Sequence, residues 1–521
     1  MRCLSIVSGA ALAVFLVATA RLGSLERGAT GPAEVVLDGG IPATLYLPDG
    51  ASERSGFREP PPPGERPPAV VLAHGFGADR RTVSGVARRL AASGYAVLAP
   101  DLHGHGENRN PFTPGRARSD SFFADLAAAV DFLRASPRVD GSRIAVAGHS
   151  MGAGAALDYG TRDSGIDAVV LISGGWALDG PYPPPNALFL YAERDPRRIR
   201  ERSERIAARL AGRPRIESGR TYGDFAAGTA VRVVEVPSAS HASIVWSDRA
   251  VAEIRDWLDA VFGIDRPAAP LPEDPRMGLA AVAGLSALLL LPGLGVVVGR
   301  LAPPAAALPG DRRGVALVTL GAALLLTMPL LAVGPPLGFV PLEAVDTVVS
   351  HLSLAGVALL VWFALRGDPE VAKAAPGPAR ALLASGVALL AFLALLRPPS
   401  LVLHGVALTP ERTIAFVVSA LALLPFSLAF QVALRRGPTP TASAFAAAGR
   451  ALVVLVLVLG IAVGVLPHVM VFVVGPLALV FALVEVAGAA IYATSRNLLA
   501  IALVDATWLA LVLAASMPIR W

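Results

Sequence analysis

Gly148-His149-Ser150-Met151-Gly152 is a G-x-S-x-G pentapeptide. A serine so placed is a candidate nucleophile when a strand turns sharply into a helix, exposing its hydroxyl with helix amides behind it. The flanks have the residue types this needs. Residues 143–147 read as a buried strand, and residues 153–157 as the start of a helix of small residues. A serine hydroxyl attacks poorly until a base takes its proton and a third group orients that base. Of eight histidines, His351, His404 and His468 lie in the apolar second half, and His74, His103 and His105 precede the serine. His149 sits inside the pentapeptide and points elsewhere. His241 remains, in a loop after the alternating strand pattern of residues 231–236.

The acid is expected after another strand between Ser150 and His241. Residues 187–192 read as that strand, and Asp195 follows it, with Glu193 and Asp179 as alternatives at neighbouring loop positions. A tetrahedral intermediate also needs two backbone donors aimed at its oxyanion. Met151, just after the nucleophile, should supply one amide. The loop His74-Gly75-Phe76-Gly77, after a strand at residues 69–73, should supply the other from Phe76. His74 reads as a residue that hydrogen-bonds this loop into shape. A further strand at residues 95–99 leads into Asp101-Leu102-His103-Gly104-His105-Gly106-Glu107. Its His and acid content invites a metal reading, which is set aside in favour of the one that follows.

Taken in order, His74 to Gly77, Asp101 to Gly106, the turn at Ser150, Asp195 and His241 resemble the α/β-hydrolase superfamily, in particular dienelactone-hydrolase-like and serine-aminopeptidase- or lysophospholipase-like members. The resemblance covers residues 33–263. It implies an α/β fold with a doubly wound, mostly parallel sheet, and acyl transfer through a covalent acyl-serine using a Ser150–Asp195–His241 triad. It implies no cofactor and no metal. Residues 173–186 are too few to hold the helical cap of many lipases, so the site should be open. Between Asp195 and His241, Arg197, Arg198, Arg200, Arg202 and Arg205 read as an exposed basic helix, a solvated face or a contact for anionic lipid headgroups.

The rest of the chain is of another kind. The 521 residues are 54% hydrophobic with mean hydropathy +0.58, above an ordinary globular composition. A membrane helix needs about 20 mostly apolar residues. Eight such runs follow Met277, centred near Leu288, Leu324, Ala355, Leu389, Ala420, Leu455, Leu477 and Leu509. Residues 401–408 are apolar but too short to span, and read as an interfacial or re-entrant piece. At the N-terminus, residues 1–22 read as a signal anchor or a cleaved signal peptide. The expected domains are therefore 1–22, an α/β-hydrolase domain at 33–263, a proline-rich linker at 264–276, and an all-α multi-pass membrane domain at 277–521. Arginines and lysines after the linker fall chiefly in alternate loops (Arg300, Arg312, Arg313; Arg366, Lys373, Arg380; Arg435, Arg436, Arg450; Arg496), against Arg397, Arg412 and Arg520 in the others. By the positive-inside rule this places the hydrolase domain outside the cytoplasm.

The net charge of +5 requires no nucleic acid, and a single cysteine, Cys3, excludes an intramolecular disulfide. The expected partners are an acyl-ester or lipid-like small molecule and a lipid bilayer. Two rival readings remain. In one, the helices are a transporter or sensor and the hydrolase fold binds or processes its ligand. In the other, a hydrolase fold without chemistry serves binding. Glu485 and Asp505 fall within apolar runs, where charge is costly. Asp505 is a candidate for moving protons or substrate, and Glu485 sits closer to a helix end.

Overall fold

The computed structural model describes all residues except Met1, 28–31, 49–59, 116, 176–179, 267–269, 311–312, 335–337, 367–375, 407 and Trp521. The chain divides into two compact units. One comprises Ala20–Leu279 with Ser400–Gly405, and the other Met1–Thr19, Ala280–Pro399 and Val406–Trp521.

The first unit is built on a nine-stranded sheet. Its strands are β1 (Ala33–Leu37), β2 (Ile41–Tyr46), β3 (Ala69–Ala73), β4 (Ala96–Pro100), β5 (Ile144–His149), β6 (Ala168–Ile172), β7 (Ala187–Ala192), β8 (Thr221–Tyr222) and β9 (Val231–Val236), in the order β1-β2-β4-β3-β5-β6-β7-β9-β8. The six strands β4-β3-β5-β6-β7-β9 are mutually parallel, while β2 and β8 run antiparallel to them at the margins and β1 pairs antiparallel with β2. The central strands are apolar throughout because both faces are covered, as parallel sheets require. Along β3, Ala69, Val71 and Ala73 pack into one core with Val130, Leu133 and Leu157, which come from α3 (Ala117–Ala135) and α4 (Met151–Arg162). Val70 and Leu72 face the other core with Val86, Leu90, Ile254 and Trp257, from α2 (Ser84–Ala92) and α6 (Asp248–Phe262). The arginine-rich segment is helical, as expected: α5 (Arg197–Leu210) buries Ile199, Ser203, Ala207 and Ala208 and exposes Arg197, Arg198 and Arg205.

Two boundary segments are held by named contacts. At the end of the proline-rich linker Arg276 is buried, with its guanidinium on Asp274 and on Glu26 of α1 (Arg2–Arg27). Of residues 401–408, expected as an interfacial or re-entrant piece, those up to Gly405 fold with the sheet unit, together with Ser400. Their backbone finds hydrogen-bond partners there that a short apolar run cannot supply for itself.

The second unit is all helix: α7 (Arg276–Leu301), α8 (Arg313–Thr327), α9 (Val345–Leu365), α10 (Pro378–Ser400), α11 (Pro410–Leu434), α12 (Thr439–Ala462), α13 (Val471–Ser495) and α14 (Leu498–Ser516). Each of the eight expected centres falls in one of them. Among the described residues, nine helices, α1 included, are long and apolar enough to cross a membrane. Small residues bring them close: a Cβ at Gly356 of α9 would lie 2.2 Å from the Phe426 amide nitrogen of α11.

Two arginines counted as loop charges are buried. Arg450 is inside α12 and contacts Asp505 of α14 at 2.6 Å, and Arg435, just past α11, is fully buried and contacts Glu485 of α13 at 2.7 Å. Gln431 joins the pairs, accepting from Arg435 Nε at 2.7 Å and donating to Asp505 at 3.3 Å. Arg412 is also buried, donating to the carbonyls of Ala514, Ala515 and Met517 at the end of α14. A charge inside an apolar bundle must be paired or bonded to backbone, so these positions carry less topological information than exposed loop arginines.

Candidate active site

All the candidate residues lie past the carboxyl ends of the parallel strands: the His74 loop after β3, Asp101 after β4, Ser150 after β5, Asp195 after β7 and His241 after β9. Open α/β sheets gather ligand sites at this edge.

Ser150 occupies φ +53°, ψ −111°, a backbone conformation that costs a non-glycine residue on the order of 1–3 kcal/mol. The turn holds because the glycines on either side let backbones meet. A Cβ at Gly148 would lie 2.1 Å from the Gly152 carbonyl oxygen, and one at Gly152 would lie 2.5 Å from the carbonyl oxygens of Ala73 and His74. The Ser150 amide donates to the Ile172 carbonyl at 2.8 Å, tying the turn to β6.

His241 Nε2 is 2.9 Å from Ser150 Oγ, and its Nδ1 is 2.6 Å from Asp195 Oδ1. With Nδ1–H donated to the carboxylate, Nε2 faces the serine as an acceptor. The other Asp195 oxygen accepts from Ser173 Oγ at 2.6 Å and from the Ala192 amide at 2.7 Å. Burial pulls the Asp195 carboxyl upward, but hydrogen bonds from His241, Ser173 and the Ala192 amide more than offset this and hold it below the usual carboxylate range. Of the alternative acids, Glu193 does other work: its carboxylate accepts the Ser238 amide at 2.6 Å, holding a left-handed residue (φ +59°) in the loop that carries His241. Asp179 lies outside the described residues.

Met151 opens α4, so its amide is among the first-turn N–H groups that no helical carbonyl can reach. The loop carrying Phe76 lies against the nucleophile: a Cβ at Gly75 would be 3.3 Å from Ser150 Cβ. His74 is buried, and its Nδ1 lies 2.8 Å from the Gly75 carbonyl while its Nε2 accepts the Leu102 amide at 3.1 Å. Burial lowers its pKa, in keeping with a neutral ring that shapes the loop. The 101–107 segment is organised by carboxylates. Asp101 accepts the amides of Arg80 and Glu107 and pairs with the Arg80 guanidinium, while Asp125 takes the His103 amide and ring at 2.8 and 2.7 Å. No group of His, Cys, Asp and Glu among the described residues could hold a metal ion.

Two contributors escaped sequence reasoning. Ser173 (φ +51°) buttresses Asp195; a polar residue directly after a buried strand was its only signal. His149 Nε2 lies 2.8 Å from the His241 carbonyl oxygen, so the residue set aside for pointing elsewhere holds the histidine loop. Burial and then the nearby His241 push its pKa down to about 3, leaving it a neutral donor.

Sheet order and strand-edge placement define a unit of the α/β-hydrolase fold. Within that class, residues 64–212 match the family described as serine aminopeptidase, S33; the match takes in Ser150 and Asp195 and stops before His241. An uncharacterised protein of Mycobacterium tuberculosis is 34% identical over 109 residues, 21% of this chain and 29% of that protein. The bis(hydroxyethyl) terephthalate hydrolase of Streptomyces coelicolor is 33% identical over 119 residues, 22% of this chain and 35% of that protein. The chain thus spans about a third of the length of these relatives. Among solved structures, an α/β serine hydrolase without lid from Xanthomonas campestris superposes with TM-score 0.31 at 18% identity, covering 46% of this chain and 97% of that one.

Proposed function

We propose that the sheet unit is a serine hydrolase that cleaves an acyl ester, or a thioester or amide, through an acyl-serine intermediate. The observation that carries this is the hydrogen-bonded line from Asp195 through His241 to Ser150 Oγ, on a strained turn next to a helix N-terminus. His241 Nε2 takes the Ser150 proton as Oγ attacks the acyl carbon. The oxyanion that forms is met by the amides of Met151 and Phe76. Collapse expels the leaving group, which receives the proton from His241. Water, deprotonated by the same nitrogen, then attacks the acyl-serine and releases the acid.

On the loop arginine pattern alone, the hydrolase unit is read as lying outside the cytoplasm. The helical unit supports a multi-pass membrane protein. Its outward faces carry exposed Leu285, Val318, Leu390 and Leu421, which water disfavours and lipid accepts. The substrate is accordingly placed among acyl-ester or lipid-like molecules near a membrane. The decisive experiment labels intact cells with a membrane-impermeant fluorophosphonate. Labelling that disappears in Ser150→Ala supports both the serine and the orientation. Labelling only after lysis overturns the orientation and keeps the enzyme, and no labelling in either state overturns the enzyme.

A second reading has its own observation. Anchoring needs one helix, and the buried set Arg435, Glu485, Arg450 and Asp505 is more charge than an anchor requires. A transporter or sensor whose ligand the hydrolase unit processes would use it. Reconstituted vesicles in which hydrolysis product accumulates inside, and no longer does so in Asp505→Asn, would favour this reading; product left wholly outside would count against it.

A further inference from the structure

Six residues, Ser400–Gly405, fold with the hydrolase unit although they lie in sequence between α10 and α11. Their contacts converge on one turn. The Gly405 amide donates to Asp79 Oδ2 at 2.7 Å, Thr82 Oγ1 donates to the Leu403 carbonyl at 2.8 Å, and the His404 ring lies 3.5 Å from the same Asp79 oxygen. Val402 is fully buried. The approach at Gly405 is close: a Cβ there would lie 2.0 Å from Arg81 Nη1 and 2.7 Å from Asp79 Oδ2, so a side chain would have to displace the Arg81 guanidinium.

Asp79 is the hub of the contact. Its side chain is almost wholly buried, yet burial's upward pull on the carboxyl is more than offset by His404, Arg81 and the Gly405 amide, which hold it well below the usual carboxylate range. Its Oδ1 accepts the Arg81 amide at 3.0 Å, its Oδ2 meets the Arg81 guanidinium at 3.2 Å, and its carbonyl accepts the Thr82 amide at 3.0 Å. Arg81 also reaches Glu107 at 3.1 Å, and Glu107 binds Arg80, which is anchored on Asp101. The turn closed in this way begins at Asp79, three residues after Phe76 and two after Gly77 (φ +65°).

We propose that Asp79 is a positioning residue for the Phe76 amide, and that the strap Ser400–Gly405 completes its hold, so that oxyanion stabilisation in this hydrolase depends on a segment drawn from between two apolar helices. The proposal rests on the acyl-serine reading above, with Phe76 as an oxyanion donor. Preorganised donors act only when held at the developing charge, and a misplacement of about 1 Å can cost on the order of 100-fold in rate. The strap's hydrogen bonds at Leu403 and Gly405 go to Thr82 and Asp79, so loosening them should spare the nucleophile and its base while slowing the acyl-transfer step.

The test uses the full chain in detergent with p-nitrophenyl butyrate. Asp79→Asn and Gly405→Val, with Thr82→Val as a milder variant that removes the bond to Leu403 and the long one, 3.4 Å, from the Asp79 amide, are compared with wild type. The expected result is a kcat lower by about 10- to 100-fold in Asp79→Asn and Gly405→Val and by less in Thr82→Val, with KM within about threefold. Complete fluorophosphonate labelling of the folded protein should accompany it. Wild-type kcat in all three variants would overturn the proposal. So would a change confined to KM, which would make the strap a wall of the substrate pocket. If Gly405→Val fails to fold, Thr82→Val decides by the same criteria. Loss of the acyl-serine reading itself would show differently, as wild-type protein that takes no fluorophosphonate label.

Discussion

Asp195 and Asp505 are both buried carboxylates, and they are held in opposite ways. Asp195 sits at the end of a strand, and donors from His241, Ser173 and Ala192 occupy both of its oxygens. Asp505 sits inside a helix and spends one oxygen on both Arg450 and Gln431, while its Oδ1 has no hydrogen-bond partner among the described residues. The same holds for Arg435 Nη1, Arg450 Nε and Nη1, and Glu485 Oε2. A carboxylate that must aim one imidazole is fixed on every side. The helical cluster balances charge and leaves its hydrogen bonding incomplete, and a buried ion pair of that sort is weak evidence of stability. The two acids should therefore fail differently when changed, one in rate and the other in stability.

The largest effect is expected at the reacting group. Ser150→Ala should lower ester hydrolysis by about 10⁵-fold or more and abolish fluorophosphonate labelling. Asp195→Asn should come next, at on the order of 10⁴-fold in kcat, because an amide at that position can leave His241 in the wrong tautomer. Its denaturation midpoint should move far less than its rate. A drop in stability as large as that in rate would erase the distinction from Asp505.

Asp505→Leu tests the other side. Leaving Arg450 buried without its partner should cost about 3–5 kcal/mol, read as a lower denaturation midpoint in detergent, while hydrolysis by the surviving folded protein stays at the wild-type rate. Replacing both partners, Asp505→Leu with Arg450→Met, should recover much of the loss. A double variant as unstable as the single one would show that the pair does more than neutralise itself.

The parallel strands were legible because each is a short apolar run closed by a polar loop, and the order of serine, acid and histidine narrowed the site to three strand ends. The sequence favoured Asp195 and left Glu193 open, since both lie in one loop and only the turn decides which carboxylate meets His241. Ser173 was invisible because its role comes from a left-handed backbone no pattern announces. The helices of the second unit were plain from length and apolarity. Their buried pairs were not, because an arginine near the end of an apolar run looks the same whether it faces water or a carboxylate two helices away. The strap at Ser400–Gly405 was hidden for a related reason: its partner, Asp79, is more than 300 residues distant in sequence.

The smallest effect concerns acid, and it sharpens the comparison within the hydrolase unit. His149 has its pKa pushed down to about 3, chiefly by burial, against about 6.5 for an unfolded histidine. The unfolded chain thus takes up a proton below pH ~6.5 that the folded protein refuses until pH is near 3. Stability must then rise with pH across that window and fall as pH drops through it. Asp195, held below the usual carboxylate range, stabilises the fold above pH ~3.9 and gives up that contribution only as pH falls further, through its own lowered pKa. His149→Gln keeps an N–H for the His241 carbonyl and removes the titration. Its denaturation midpoint should therefore fall less steeply than that of wild type between pH ~6.5 and ~4, with a residual slope from His74, whose pKa is also lowered by burial. Parallel curves for the two proteins would show that His149 carries its proton in the folded state, and its hydrogen bond to His241 would have to be read as a charged one.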